Sequence, residues 1–486
     1  MTHATNTQTV QPGQFDTRYA RELPDTYAQV NPTPLRDPHW VCWNHALAEE
    51  LSFPAEPDDQ MLKACSGAGL YQGTEPIAQK YAGHQFGVWN PDLGDGRGLL
   101  LGEWVDPDGE HWDFHLKGAG KTPFSRFGDG RAVLRSSIRE FLASEALHAL
   151  GIPTTRALAL VGSDEPVQRE VLERGAMLTR VARTHIRFGH FEWFAFSEQT
   201  EKLEQLLNYT LKHHYPECLE HDDPTAAFFT EVVDRTATLM AHWMAHGFCH
   251  GVMNTDNMSI IGDTFDYGPY AFLDATRPDF ICNHTDVQGR YAFNRQPDIA
   301  LWNLQCLAQA LVSHTRQDAL KEALQRFAPV YNNHFLHLMG ERLGLGEIEA
   351  DDQELVSEWM QLLAAEERDF HHSFRTLADR PVEAWSELDD DYVDRDRFRK
   401  WREALAERLD SEPDQGRSLA RARNPVSVLR THLAQEVIEA AEQGDNAPLH
   451  SYLAALQSPF EHREEWRHWG DAPPADYVAR PLSCSS

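Results

Sequence analysis

The stretch from His250 to Gly268, HGVMNTDNMSIIGDTFDYG, constrains this chain more than any other. Asp256 stands beside Asn257, and Asp266 follows nine residues after the Asn. Side-chain oxygens so spaced suit the two sides of one divalent cation. Magnesium fits, because it takes a few hard oxygens from protein and completes its octahedron with water and phosphate. The apolar run Met258 to Ile261 between them predicts a short strand, with a turn ending at Asp266.

At 486 residues and 41% hydrophobic, the chain can bury several cores and predicts two or three domains. The formal charge of -31, from 75 acidic against 44 basic residues, argues against nucleic acid or an anionic membrane as partner. Any polyphosphate site must then be a local basic patch. No apolar run approaches the roughly 20 residues of a membrane span, and Met1 to Phe15 lacks the apolar core of a secretory signal, so a cytoplasmic location is expected. The seven cysteines show no CxxC spacing, which indicates neither a zinc site nor a disulfide scaffold.

Taken in order, residues 1–35 read as a polar, extended arm. Glycine-dense sequence follows, and Gly94, Asp95, Gly96, Arg97 and Gly98 form a turn before the run Leu99 to Leu101. Glycines there let backbone amides approach a phosphate, and Arg97 adds a fork of donors. Taken alone, such a turn is more often an ordinary hairpin. HWDFHLK, His111 to Lys117, alternates with period two and ends on a lysine facing Gly118 and Gly120; a lysine so placed holds phosphates in kinase-like folds, although it is more often a solvated strand end. Asp129 and Gly130 make a second turn, opening a helix predicted over Arg131 to Leu150. Its apolar stripe is Leu134, Ile138, Phe141 and Leu142, and either Glu140 or Glu145 could reach back to Lys117; periodicity does not choose.

Strands are predicted at Ala157 to Val161 and Ala176 to Val181. The second leads into a segment where Arg180, Arg183 and Arg187 concentrate positive charge, which suits an anion site or a set of surface ion pairs. Helices are predicted from Lys202 to Phe248, where His242, His246 and His250 repeat every four residues but lack the glutamate of HExxH. Tyr270 to Asn303 is irregular, and further helices are predicted from Trp302 to about Leu345, from Asp352 to Leu377 and from Tyr392 to Leu409, with another starting at Asn424 and Pro425.

The spacing around His250 also resembles the catalytic segment of kinase-like phosphotransferases: His-Gly-Asp, an Asn five residues after that Asp, a strand, and a second metal-binding Asp. Laid onto this chain, that frame takes His250 and Gly251, puts Asn257 and Asp266 at the metal, and puts Val252 where the base should be. A valine accepts no proton, so the metal site is kept while the kinase base is lost.

With HLKGAGKTPFSRFGDGRAVLR, LTRVARTHIRFGHFE, HGVMNTDNMSI, FDYGPYAFLD and NPVSVLRTHLAQ in this order, the chain resembles the selenoprotein O family from about residue 35 onward. The resemblance implies an α+β, two-lobed protein-kinase-like fold: an arm at 1–35, an N-lobe with a mixed sheet at 36–190, a mainly α-helical C-lobe at 191–380, and a helical extension at 381–486. It implies transfer of AMP from ATP, bound back to front, to Ser, Thr or Tyr hydroxyls of protein substrates, with magnesium or manganese as the metal and a monomer as the unit. Uridylylation from UTP with manganese, or an inactive nucleotide-binding scaffold, are the alternatives. On matching positions, Gly94, Gly96, Arg97, Lys117, Asp129 and Gly130 would contact the nucleotide, Arg180 and Arg187 would hold phosphates, and Glu140 rather than Glu145 would partner Lys117. Asn257 and Asp266 would ligate the metal and Asp256 would accept the proton. The resemblance also implies a regulatory disulfide between Cys282 and Cys484, transient in a reducing compartment.

Overall fold

Period-two sequence in the first half of the chain forms one sheet, and stripes of period 3.6 in the second half form layered helices. The structure is a computed structural model that describes residues 10–409, 413–474, 476–477 and 482. Contacts group the chain into two compact units, Met1–Phe141 with Thr155–Leu219, and Leu142–Thr154 with Glu220–Ser486.

The sheet of the first unit has strands β1 (Gln14–Asp16), β2 (Tyr27–Gln29), β3 (His39–Trp43), β4 (Ile77–Gln85), β5 (Val88–Gly94), β6 (Gly98–Val105), β7 (His111–Lys117), β8 (Ala132–Val133), β9 (Arg156–Gln168) and β10 (Leu172–Ala182). Their order is β2-β4-β6-β7-β10-β9-β3, with β1 on β6, β5 on β4 and β8 on β10. The expected mixed sheet is corrected to an antiparallel one, since each of these pairings is antiparallel. Short connections explain it: β6 to β7 and β9 to β10 reverse within a few residues, whereas parallel neighbours need long crossovers. The arm expected at 1–35 also supplies core. β1 and β2 both pair into the sheet, and Phe15 stacks on Tyr71 at 5.0 Å inside a cluster with Trp43, Phe53, Trp104 and Phe114.

In the second unit the helices Pro224–Ala245, Gln296–Leu311, Phe327–Leu343, Asp352–Ala365, Phe370–Asp379 and Arg395–Leu409 enclose a core around Trp359, Phe370, Phe374 and Trp401. The Trp359 and Trp401 rings stack at 4.1 Å. Helices Thr431–Glu442 and Ala447–Gln457 follow, so the helix expected at Asn424 begins seven residues later. Asn424 is instead buried, and its amide donates to the carbonyls of Arg342 and Ala420 at 2.7 and 2.8 Å. The strand expected at Met258 to Ile261 does not form. A 3-10 turn at Thr255–Asn257 precedes that run and a turn ends it, while Met258 and Ile260 are buried all the same. A four-residue apolar run is satisfied by burial in either conformation.

Among the described residues no helix is long and apolar enough to cross a membrane.

Candidate active site

In the first unit, alternation along two neighbouring strands sets the charges. Leu178 on β10 pairs with Lys117 on β7, and Arg180 pairs with His115, so Lys117 and Arg180 occupy one face of the sheet on a diagonal. Glu140 comes from the helix Leu134–Ala149, which starts three residues later than expected because Ala132–Val133 form β8. The Lys117 ammonium donates to Glu140 Oε2 and the Arg180 Nε donates to Oε1. All three are at most 4% exposed. Burial pushes the Glu140 carboxyl up, but Arg180 and Lys117 outweigh it and hold the group below its ordinary value. Glu145 is equally buried and takes a different partner, the Gln457 amide at 3.4 Å.

Arg187 caps the helix Phe188–Phe196 and is 2% exposed, its guanidinium lying 4.7 Å from the Tyr81 ring centre. Nearby, Asp95 of the glycine-rich turn is buried; it accepts from Gln79 N at 3.0 Å and sits 3.4 Å from His115 Nε2. Burial raises the Asp95 carboxyl, yet His115 and then Arg187 hold it low. Burial, reinforced by Arg187, pushes His190 down to about 3, so it is a neutral ring that accepts from Arg187 N at 3.0 Å. Arg183 stands apart from this group: it pairs with Glu110 at the surface.

The turn at Gly94, Gly96 and Arg97 is not a hairpin, because β5 and β6 each pair with β4. It packs on the segment after Lys117, where Thr122 Oγ1 donates to Asp95 O at 2.6 Å and Ser125 Oγ donates to Gly96 O. Gly94, at φ +150°, leaves space that a Cβ would take to within 2.6 Å of the Phe124 ring. Gly130, at φ +75°, touches the Gly120 backbone so closely that a Cβ would lie 2.1 Å from its carbonyl. Arg97 is exposed, and its carbonyl accepts from Gly118 N at 2.7 Å. Asp129 grips Arg169 through both oxygens at 2.8 and 3.1 Å; burial raises its carboxyl, and Arg169 more than reverses that.

In the second unit, a two-stranded ribbon, Phe248–Cys249 with Ala271–Phe272, brackets the central stretch. Gly247, at φ +67°, ends the preceding helix, which separates His250 from His242 and His246; His246 is packed within the helix end, its Nδ1 meeting His242 O at 2.9 Å. His250 is buried against Trp243, 5.2 Å between stacked rings. Val252 N donates to its Nδ1 at 3.4 Å, which puts the ring proton on Nε2, donated to Phe265 O at 3.0 Å. Burial lowers its pKa, and the neutral ring clamps the loop to the segment carrying Asp266.

Val252, where a kinase base would stand, is 4% exposed. Asn257 donates Nδ2 to Val252 O at 3.0 Å, which commits its nitrogen and leaves Oδ1 as a hard-oxygen donor, the atom a divalent cation requires. Asp266 is half-buried at φ +59°, a left-handed conformation that Asp tolerates better than most residues, at a cost of about 1 kcal/mol. Asp256 is 7% exposed in the 3-10 turn. The oxygen chemistry of Asn257 and Asp266 therefore fits a divalent metal.

Four neutral side chains that no motif marked hold this loop. Gln296 accepts from His250 N and donates to Phe248 O, both at 2.9 Å; Asn303 donates to Met253 O at 3.0 Å and Asn283 to Gly251 O at 3.1 Å. The Tyr291 hydroxyl donates to Asn254 Oδ1 at 2.6 Å. Gln296 and Asn303 lie among apolar residues of one helix and are 0% exposed. Polar residues inside an apolar stripe were the available signal, since a buried amide must find partners.

Cys282 lies buried in the irregular segment after the ribbon. Leu482 is bridged to Asn283, with its carbonyl accepting from His284 N at 3.0 Å. Cys484 falls outside the described residues.

The family described as protein adenylyltransferase SelO matches residues 10–457. A protein of Azotobacter vinelandii is 50% identical over 480 residues, covering 97% of this chain and 98% of that one. One from Aeromonas hydrophila is 52% identical over 473 residues, covering 96% and 99%. Both carry the name protein nucleotidyltransferase YdiU.

Proposed function

The chain belongs to the protein adenylyltransferase SelO family and is a nucleotidyltransferase, and from that premise we propose that it transfers AMP from ATP to Ser, Thr or Tyr hydroxyls of protein substrates, releasing pyrophosphate. The observation that carries this reading is Val252: the position matching the kinase base holds a buried aliphatic side chain, while Asn257 and Asp266 keep the side-chain oxygens that a metal would need. Transfer of the γ-phosphoryl group to a hydroxyl normally uses a carboxylate at that position.

In this reading the fold is of the two-lobed protein-kinase-like type, with lobes over 36–190 and 191–380 and an extension over 381–486. Lys117, Arg180 and Arg187 neutralise the phosphates that leave as pyrophosphate, and Glu140 fixes the first two in place. The backbone at Gly94, Gly96 and Gly130, with Arg97 and Asp129, contacts the nucleotide. Asn257 and Asp266 hold magnesium or manganese, which supplies charge neutralisation at the phosphates when bound. Asp256 takes the proton of the incoming hydroxyl. Cys282 with Cys484 forms a regulatory disulfide; the seating of Leu482 beside His284 supports a tail close to that segment.

The test is incubation of the purified protein with α-labelled or γ-labelled ATP and magnesium, followed by mass spectrometry of modified peptides. Protein should take label from the α position and none from the γ position. Transfer of γ label would establish a kinase instead, and tight ATP binding with no transfer from any nucleotide would establish a scaffold. The base-neutral name of the relatives favours a second arm with α-labelled UTP and manganese, in which faster transfer than from ATP would make the protein a uridylyltransferase.

A further inference from the structure

Two thiols meet at the foot of the metal-binding loop. Cys249 ends the strand Phe248–Cys249, directly before His250, and Cys282 comes from the segment after Ala271–Phe272. Their sulfurs are 3.5 Å apart, and the side chains are 0% and 7% exposed. Cys282 Sγ also donates to Cys249 O at 3.5 Å, and a Cβ added at Gly251 would fall 2.5 Å from that sulfur. Cys249 Sγ in turn donates to Tyr291 O at 3.7 Å. The fold and not a CxxC motif makes this pair, since 33 residues separate its members.

We propose that Cys249 and Cys282 are an internal disulfide site, oxidised by hydrogen peroxide or a peroxide of similar size. A disulfide needs its sulfurs at about 2.05 Å, so closing this pair requires an approach of about 1.5 Å by side-chain rotation and a small backbone shift. One thiolate attacks a peroxide oxygen, forming a sulfenic acid and releasing water; the second sulfur attacks the sulfenic sulfur and expels another water. The two thiols lose two electrons and two protons, and the peroxide becomes two waters.

The bond ties the residue before His250 to the segment whose Asn283 and Tyr291 hold Gly251 and Asn254. It also consumes the Cys282 thiol, so that a bond to Cys249 and one to Cys484 exclude each other; this last consequence rests on the regulatory pairing proposed above. The experiment is independent of it, and of catalysis, because it uses full-length Cys484→Ser protein and reads thiols alone.

That variant is treated with hydrogen peroxide, its remaining thiols are alkylated, and the chymotryptic peptides are mapped by mass spectrometry. Trypsin is unsuitable, because Pro278 after Arg277 keeps both cysteines on one peptide. The expected product is a linked pair of peptides carrying Cys249 and Cys282, lighter by two hydrogen atoms and restored to two alkylated peptides by dithiothreitol. Alkylation of both cysteines at every peroxide dose that oxidises Cys306 would overturn the proposal. Adding Cys249→Ser gives a second reading: Cys282, deprived of its resolving thiol, should accumulate sulfinic acid several-fold above the parent. Equal sulfinic acid in the two proteins would overturn the pairing as well.

Discussion

The sheet unit and the loop of the helical unit hold their functional groups by different forces. Around Glu140, charge is held by charge: two buried cations share one buried carboxylate. Around His250 to Asn257, position is held by neutral amides and a phenol donating to or accepting from loop groups. Removing one member of a buried ion group leaves uncompensated charge and costs about 3–5 kcal/mol, whereas removing one neutral hydrogen bond costs about 1 kcal/mol. On the proposed roles, stability and function are therefore fused in the sheet and separable in the loop, where the proposed metal ligand Asp266 sits at a positive φ that costs about 1 kcal/mol.

The largest expected effect tests that separation. Asp266→Asn keeps a residue that tolerates positive φ but removes the anionic ligand, so nucleotidyl transfer should fall by roughly 100-fold or more, in line with the several kcal/mol a metal supplies. The melting temperature should not drop. Undiminished turnover would remove the metal assignment, and a large loss of stability would erase the contrast between the regions.

Next comes Glu140→Ala, which strands Lys117 and Arg180 in the interior. Chemical denaturation should show a loss of about 3–5 kcal/mol together with loss of activity. A loss below about 1 kcal/mol would mean that the cations find water or other acceptors, and that the sheet is as forgiving as the loop. Arg187→Lys preserves charge and discards the planar fork, and should raise KM for the nucleotide about tenfold, or about 1.4 kcal/mol, with kcat less affected. An unchanged KM would take Arg187 out of the phosphate site. Tyr291→Phe deletes one hydroxyl from the loop's support and should cost about 1 kcal/mol. A cost as large as that of Glu140→Ala would show that the loop, too, depends on a single contact.

The same contrast decides what the sequence discloses. Lys117 was legible because period-two alternation ends on it, and Asn257 and Asp266 stood out as proposed ligands because their oxygens have a spacing that suits one metal ion. Charges announce themselves in a sequence of mostly solvated faces. The choice between Glu140 and Glu145 was not legible from periodicity: both are buried, and what separates them is the element each faces, which depends on the tertiary fold. Gln296, Asn283, Asn303 and Tyr291 had no motif at all, since neutral donors act through whatever carbonyl the fold brings near. The strands at Gln14–Asp16 and Tyr27–Gln29 escaped because three residues carry too little alternation to register, and Met258 to Ile261 misled because a short apolar run suits strand and turn alike.

The smallest effect sharpens the comparison most directly, because it titrates the charge itself. Burial alone would raise the Glu140 carboxyl; Arg180 and Lys117 outweigh it and hold the group below its ordinary 4.5 in the folded protein. A carboxyl whose folded value is depressed contributes stability that is fully present above its unfolded value and is lost as pH falls through the folded one. Glu140→Gln has no such group, so the stability difference between the wild type and this variant should be constant from neutral pH to about 5 and shrink steadily below that. Asp95 and Asp129, also depressed, titrate in both proteins and cancel in the difference. So does Asp113, which burial and then Glu103 push the opposite way. Denaturation midpoints measured across that range give the difference curve. A flat curve would mean that the two cations do not hold Glu140 ionised, and the sheet would then be stabilised by neutral hydrogen bonds of the kind that hold the loop.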